Sequence, residues 1–310
     1  MKFRFRYGAL IAVLMVAVAL VVGIVASRNP DRSKVQTTAP SAARTAPDQA
    51  GLKISGLEAT DRDEKGNLRW QIKSSGKMDF DREQMVARGQ NVTWELTRAD
   101  GAQMQLVAPE FVADYHAKLV TLTKGVKAES TREAFAFQAS QVVYDMAAEH
   151  LHASGPVIAR LGDYDLKSKD LGFDRQGREV TLVGAVALGY QDYHVTAGRA
   201  VAHLTTREAT LTGGARLQRG DYVARADTVH VNAEAQQVHL TNAVRVSRGD
   251  LSARAGDALF GKLSQQARLS GDVALTGNGF TATGRRLVVD GEASTATLSG
   301  GARLTTRIRR

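Results

Sequence analysis

From Ala153 onward, apolar residues follow two superimposed rhythms. The shorter has a period of two, as in Ala209-Leu211-Gly213-Ala215-Leu217 and Ala267-Leu269-Gly271-Val273-Leu275, with Thr, Arg, Ser and Asp between them. Strict alternation predicts a strand with one buried and one wet face, and places the glycines on the buried one. The longer rhythm is a repeat. Ala153, Leu182, Leu211, Leu240, Leu269 and Leu298 stand 29 residues apart. Two residues after each comes Gly155, Gly184, Gly213, Asn242, Gly271 or Gly300, and two further on Val157, Val186, Ala215, Val244, Val273 or Ala302. Phe135, Tyr164, Tyr193, Tyr222, Leu251 and Phe280 form another column in the same register. Columns held in step over this many periods mark a true internal repeat.

Each unit reads as two strands. A short polar turn, Gln218-Arg219-Gly220-Asp221 or Ser247-Arg248-Gly249-Asp250, joins the alternating strand to a second one that starts on the aromatic column. The turn glycine supplies the positive φ that a tight hairpin needs. In the second strand the apolar parity changes, from Tyr222-Ala224-Ala226 to Val229 and Val231, and in the later unit to Leu287 and Val289. A parity switch inside a strand predicts a bulge or corner that re-aims the chain. Residues 51–150 carry the theme less regularly. Trp70-Ile72-Ser74, Met104-Leu106-Ala108 and Phe135-Phe137-Ala139 read as earlier copies separated by longer loops, with turns at Gly66-Asn67 and Asp100-Gly101. Both tryptophans fall here, as expected of a specialised terminal part of a repeat array.

The N-terminus is of another kind. Lys2, Arg4 and Arg6 precede an uncharged run from Tyr7 to Ser27, long enough at 1.5 Å per residue to span a bilayer. It reads as an inner-membrane anchor (residues 1–27) with its basic flank in the cytoplasm and the rest of the chain exported. Val25-Ala26-Ser27 leaves a cleaved signal open as the alternative. Residues 28–50, which hold three of the five prolines, read as a flexible linker.

Composition narrows the chemistry. Zero cysteines exclude a disulfide scaffold, a zinc–cysteine site and a thiol nucleophile. Aromatics make up only 6%, so the expected core is mostly Ala, Val and Leu: either tightly packed, or a narrow slot that something else fills. Gly277-Asn278-Gly279-Phe280-Thr281-Ala282 has the letters of a dinucleotide fingerprint but joins two strands, and that fingerprint works only where a strand turns into a helix. His150 and His152 share a strand face with no evident third ligand, so neither a metal nor a cofactor is called for. The pairs Asp61/Asp63, Asp79/Asp81 and Asp163/Asp165 sit in or beside turns rather than across a cleft, so turn chemistry is expected of them and not catalysis. The net charge of +9 suits an anionic partner, and the arginines (Arg199, Arg216, Arg219, Arg225, Arg245, Arg248, Arg254, Arg268, Arg285, Arg286) read as interleaved along polar faces. Export and the scarcity of aromatics disfavour nucleic acid.

The order of anchor, tether and bent repeats resembles the LptC and OstA/LptA families of lipopolysaccharide export. The stretch from Gly56 to about Asp174 is similar to LptC through Gly56-Leu57-Glu58-Ala59-Thr60, Gly66-Asn67-Leu68-Arg69-Trp70-Gln71-Ile72, Met104-Gln105-Leu106-Val107-Ala108-Pro109-Glu110, Val142-Val143-Tyr144-Asp145 and Ser154-Gly155-Pro156-Val157. The V-x-L-x-G-x-V-x-L units that follow resemble the OstA/LptA repeat. LptC-like proteins usually stop after one such domain, whereas here the spacing continues. The resemblance implies an all-β, elongated, V-shaped β-jellyroll of antiparallel strands, LptC-like over 51–179 and OstA/LptA-like over 180–310. It implies a non-enzymatic protein that carries lipopolysaccharide across the periplasm. Its expected partners are an inner-membrane ABC export complex and an LptA-like bridge protein that pairs head to tail. The groove residues it points to are Phe135, Phe137, Tyr164, Leu182, Val186, Tyr193, Leu211, Leu217, Tyr222, Leu240, Val244, Leu269 and Val273. Two rivals remain: an anchored structural β-solenoid with a dry core, and a β-helix enzyme acting on envelope glycans. The enzyme would need a carboxylate or basic cluster on one strand face across successive units.

Overall fold

The computed structural model describes residues 2–4 and 51–306, apart from 56–57, 63–65, 98–102, 131–134, 162–163, 175–178, 204, 262–265, 291–292 and 294. The expected anchor beyond Lys2–Arg4, the linker and the basic C-terminal Arg307-Ile308-Arg309-Arg310 lie outside these residues. Among the described residues every regular element is a strand, and no helix is long and apolar enough to cross a membrane. The first strand, β1 (Lys2–Arg4), pairs with one near the C-terminus and is taken up there. The rest divides into two compact units, residues 28–162 with 172–176 and residues 163–171 with 177–310.

The N-terminal unit is an antiparallel succession of β2 (Gly51–Ser55), β3 (Glu58–Arg62), β4 (Leu68–Ser74), β5 (Met78–Asp81), β6 (Val86–Thr97) and β7 (Gln103–Asp114). It continues with β8 (Leu119–Thr123), β9 (Val126–Ser130), β10 (Phe135–Ala139), β11 (Gln141–Asp145) and β12 (His150–Leu161). Three pairs of short strands share one long partner: β4 and β5 on β6, β8 and β9 on β7, β10 and β11 on β12. Each pair is one long strand broken at mid-length. Gly125 N–H donates to the Ser140 carbonyl at 3.1 Å, and Ser140 N–H to the Ser154 carbonyl at 3.0 Å, so hydrogen bonding carries through the breaks. The irregularity expected of this region is thus a set of interrupted strands more than a set of longer loops. Trp70 and Trp94 are buried in its core, Trp94 edge-on to Tyr144 with ring centroids 5.3 Å apart.

In the C-terminal unit the strands run unbroken except at its end, where two short strands again share one long partner. They are β13 (Tyr164–Asp174), β14 (Glu179–Tyr190), β15 (Tyr193–His203), β16 (Glu208–Arg219), β17 (Tyr222–Asn232) and β18 (Gln237–Arg248). Then come β19 (Leu251–Gly261), β20 (Gln266–Gly277), β21 (Phe280–Asp290), β22 (Thr295–Ser299) and β23 (Arg303–Thr306). From β14 to β21 each strand pairs antiparallel with the next. The period follows directly: a 12-residue strand (Glu208–Arg219), a two-residue turn (220–221), an 11-residue strand (Tyr222–Asn232) and a four-residue loop (233–236) occupy one repeat. As expected, Gly220 and Gly249 in the tight turns have positive φ, 55° and 51°.

Each long strand turns a corner at mid-length. On β14, β16, β18 and β20 the register shifts between Val183/Val186, Thr212/Ala215, Thr241/Val244 and Ser270/Val273. The two residues skipped are both left-handed: Gly184-Ala185 at 77° and 52°, Gly213-Gly214 at 78° and 79°, Asn242-Ala243 at 64° and 53°, Gly271-Asp272 at 77° and 50°. On β17 the shift falls between Arg225 and Thr228, where the apolar parity switch predicts it. The alternating strands depart from expectation at one point. Gly213 and Gly271 are exposed at the corners, not turned into the core, because backbone conformation and not burial selects glycine there. Gly213 and Gly271 also face Gly198 and Gly256 across the sheet, where a β-carbon would come within 3.1 Å and 3.3 Å of the opposing backbone.

The corners create the core. Val229, Val238, Leu240, Ala258 and Leu269 have no solvent exposure, although a single sheet covers neither of its own faces. With strands the only regular element among the described residues and each paired to its neighbours, the layer over the inner face is the other half of the same bent sheet. The unit is therefore a β-jellyroll whose two walls, a hairpin-side half and a loop-side half, meet along a line of corners. A Gly271→Ala variant should lose about 1–2 kcal/mol, the cost of an L side chain in the left-handed region. Asn242→Gly should change stability by only a few tenths of a kcal/mol, since Asn already tolerates that region. Urea unfolding followed by far-UV circular dichroism measures both.

Candidate functional site

Two layers of small aliphatic side chains line the interior. In the hairpin-side wall they include Val186, Ala215, Leu217, Ala224, Val244, Ala253 and Val273, and in the loop-side wall Leu182, Leu211, Val229, Leu240 and Leu269, all buried. Of the expected groove residues, Tyr164, Leu182, Val186, Tyr193, Leu211, Leu217, Leu240, Val244, Leu269 and Val273 are buried in the C-terminal unit, and Tyr222 is half-buried there. Phe137 is buried and Phe135 half-buried in the N-terminal unit, their ring centroids 5.8 Å apart. The interior columns are closed on each other in this structure.

The aromatic column occupies the edge of that interior, where the hairpin turns lie. Tyr164 stacks on Tyr190 at 4.5 Å and 19°, and Tyr190 lies parallel to Tyr193 at 6.2 Å and 9°. One repeat on, an arginine takes the place of Tyr190. The Arg219 guanidinium sits 4.6 Å from the Tyr193 ring centre and donates Nε to Asp192 at 2.9 Å. Arg248 does the same over Tyr222 at 4.4 Å, with Asp221 at 3.4 Å. Burial pushes the Tyr193 and Tyr222 phenols above the ordinary tyrosine range, and the neighbouring guanidiniums of Arg219 and Arg248 pull part of the way back. The hydrogen bond to Asp192 holds the Arg219 proton more firmly than usual. At the next position Gly277 replaces the arginine, and a β-carbon there would meet Leu251 at 2.9 Å. The rim is thus a ladder of flat groups over an apolar interior, with every guanidinium in it already paired to a turn carboxylate.

Of the remaining polar candidates, Asp63 and Asp163 lie outside the described residues, and the others fall in strands and turns. Asp81 accepts the backbone N–H of Glu83 and Gln84 at 3.0 Å each, which is turn capping. The same device closes the four-residue loops from Asp114, Asp145, Asn232 and Asp290, a column the sequence reading missed although its last members keep the 29-residue register. His150 and His152 are exposed on β12, and among the described residues no three His, Asp or Glu side chains gather as metal ligands. The fingerprint-like Gly277–Ala282 is a hairpin, Gly277 pairing with Phe280. A shallow outer concavity of about 670 Å³ lies over the loop-side wall, lined by His239, Asp257, Leu259, Arg268 and Arg286 among others.

Against known families, residues 136–256 and 194–307 match the LptA/(LptD N-terminal domain) LPS transport protein family, together more than half of the chain. The chain belongs to this family of lipopolysaccharide transport proteins. Among solved structures, one similar chain is LptH of Pseudomonas aeruginosa, described as the LptA-homologous periplasmic component of the lipopolysaccharide transport device. The two share 12% identity, with 39% of this chain and 94% of LptH covered at a TM-score of 0.34. No curated protein matches the chain.

The packing of the interior sets how it responds to change. Leu240→Ala, which opens a void in a fully buried column, should cost about 2–5 kcal/mol. Arg248→Gln at the rim should cost no more than about 1 kcal/mol, because an exposed cation–π contact is worth that little. Chemical denaturation of the two variants beside wild type measures the difference.

Proposed function

We propose that this chain is a non-enzymatic carrier that holds the acyl chains of lipopolysaccharide between the two walls of its jellyroll and passes the lipid across the periplasm. What carries the reading is the continuous inner face of Ala, Val and Leu, repeated at every 29-residue step in a chain of the lipopolysaccharide transport family. Each methylene taken from water into that interior gains about 0.8 kcal/mol, so roughly ten of them hold the lipid at about 8 kcal/mol. The two walls hinge about the line of corners to part the closed columns and admit it, and the flat side chains at the rim sit where acyl chain gives way to headgroup. Residues 1–27 anchor the chain in the inner membrane once Lys2–Arg4 have left β22, since a segment paired there cannot also flank the anchor in the cytoplasm, and the LptC-like residues 51–179 dock on the ABC export complex. The repeats of 180–310 meet an LptA-like bridge protein by strand addition. Support for that last step is that, among the described strands, β2 pairs only with β3 and β23 only with β21, which leaves main-chain groups for a partner's strand.

The closed packing favours a second reading, a scaffold whose core stays dry. Adjacent residues on β18 separate the two, Leu240 facing in and His239 facing out. A photoreactive side chain at Leu240 in cells should trap lipopolysaccharide, and one at His239 should trap much less, with circular dichroism confirming that both variants fold. Equal labelling at the two positions, or none at Leu240 in a folded variant, leaves the scaffold.

A further inference from the structure

Register turns part of the arginine content into one object. Arg216 pairs with Arg225, Arg225 with Arg245 and Arg245 with Arg254, so four arginines lie directly opposite one another on β16, β17, β18 and β19. The row ends at Thr196 on one side and Ala274 on the other. All four are on the outer face of the hairpin-side wall, Arg225, Arg245 and Arg254 exposed and Arg216 half-buried. Arg216 donates to the Gln218 amide oxygen at 2.7 Å, while Arg225, Arg245 and Arg254 make no hydrogen bond or ion pair with any described residue. The adjoining outer row, Gln218, Val223, Ser247 and Ser252, carries no carboxylate. Asp227, two residues beyond Arg225, sits at the bulge and pairs with none of them.

Like charges directly opposite in a sheet oppose folding. A fold that needed these residues only for solubility would alternate their signs, as the rim does with Arg219–Asp192 and Arg248–Asp221. We infer that the row is a binding stripe for an acidic oligosaccharide, one anionic group per sugar. Strands are spaced about 4.8 Å apart, close to the length of a pyranose ring, so successive carboxylates or phosphates on a sugar chain laid across the strands meet successive guanidiniums. The guanidinium fork suits either anion. The stripe has no aromatic side chain on which a nucleobase could stack and none of the exposed large apolar residues that would enter a membrane; among the described residues those are Val107, Val112, Ile158, Val183 and Leu304. The inference stands apart from the lipid interior, since the row lies on the opposite face of the sheet.

The full chain in detergent, titrated by fluorescence anisotropy with labelled hexagalacturonate, tests it. Wild type should bind at low salt and weaken steeply as salt rises, and maltohexaose should not compete. R225Q/R245Q should weaken binding at least about tenfold, while R285Q/R286Q, away from the row, should stay within about threefold. R225E should abolish binding and raise the melting temperature, since Glu between Arg216 and Arg245 replaces repulsion with two ion pairs; that combination excludes unfolding as the cause of the loss. Absence of wild-type binding overturns the assignment, as does equal loss in the R285Q/R286Q control. A single-stranded oligonucleotide of equal charge binding as tightly overturns the sugar specificity.

Discussion

Everything in the repeat unit depends on the corner. A single antiparallel sheet has two faces and nothing to cover either, and among the described residues this one has no helix to help. It covers itself because the strands reverse their aim at mid-length, on β14, β16, β18 and β20 through a pair of residues in the left-handed region, so the inner faces of the two halves close on each other. Without that bend, Leu211 and Leu240 would be surface residues. The conformation is unfavourable for Ala185, Ala243 and Asp272, and it persists because the burial it makes possible is shared by every neighbouring strand. The N-terminal unit reaches the same end with strands broken outright, at Ser140 for instance, while the break between β8 and β9 keeps a left-handed pair, Lys124 at 66° and Gly125 at 92°.

The bend also fixes what the two faces can do. Inside, two walls pressed together leave room for small aliphatic residues, which accounts for the low aromatic content. In the repeat array Tyr164, Tyr190, Tyr193 and Tyr222 lie at the hairpin edge, where the walls end, and there they stack with one another or with guanidiniums, while Phe260 is buried at the loop end of β19. Outside, strands at a constant register repeat any polar choice at a constant spacing. An apolar interior and a charged exterior one sheet thick are thus two products of one repeat.

Much of this was legible in the sequence. The 29-residue columns, the two-strand unit, the tight turns at Gly220 and Gly249 and the parity switch on β17 are all local or strictly periodic, and the structure agrees with them. The corner glycines were misplaced because Gly213 keeps the parity of the buried residues around it, and alternation alone cannot tell a glycine that is buried from one that is left-handed. The loop-capping column went unseen because Asp, Asn, His and Gly share it, at Asp145, Asp174, His203, Asn232, Gly261 and Asp290. The arginine row was invisible for a different reason. Its members fall on both strands of the unit at unequal separations, and only cross-strand register shows Arg225 opposite Arg216 and Arg245.

The two buried tryptophans carry a practical consequence. Trp70 and Trp94 both lie in the N-terminal unit, and the chain has no others. Tryptophan fluorescence, excited where tyrosine does not absorb, therefore reports on that unit alone, while the tyrosine stack of Tyr164, Tyr190 and Tyr193 adds a near-ultraviolet signal from the repeat array. The chain comes with two optical channels, one for each unit, with no label added.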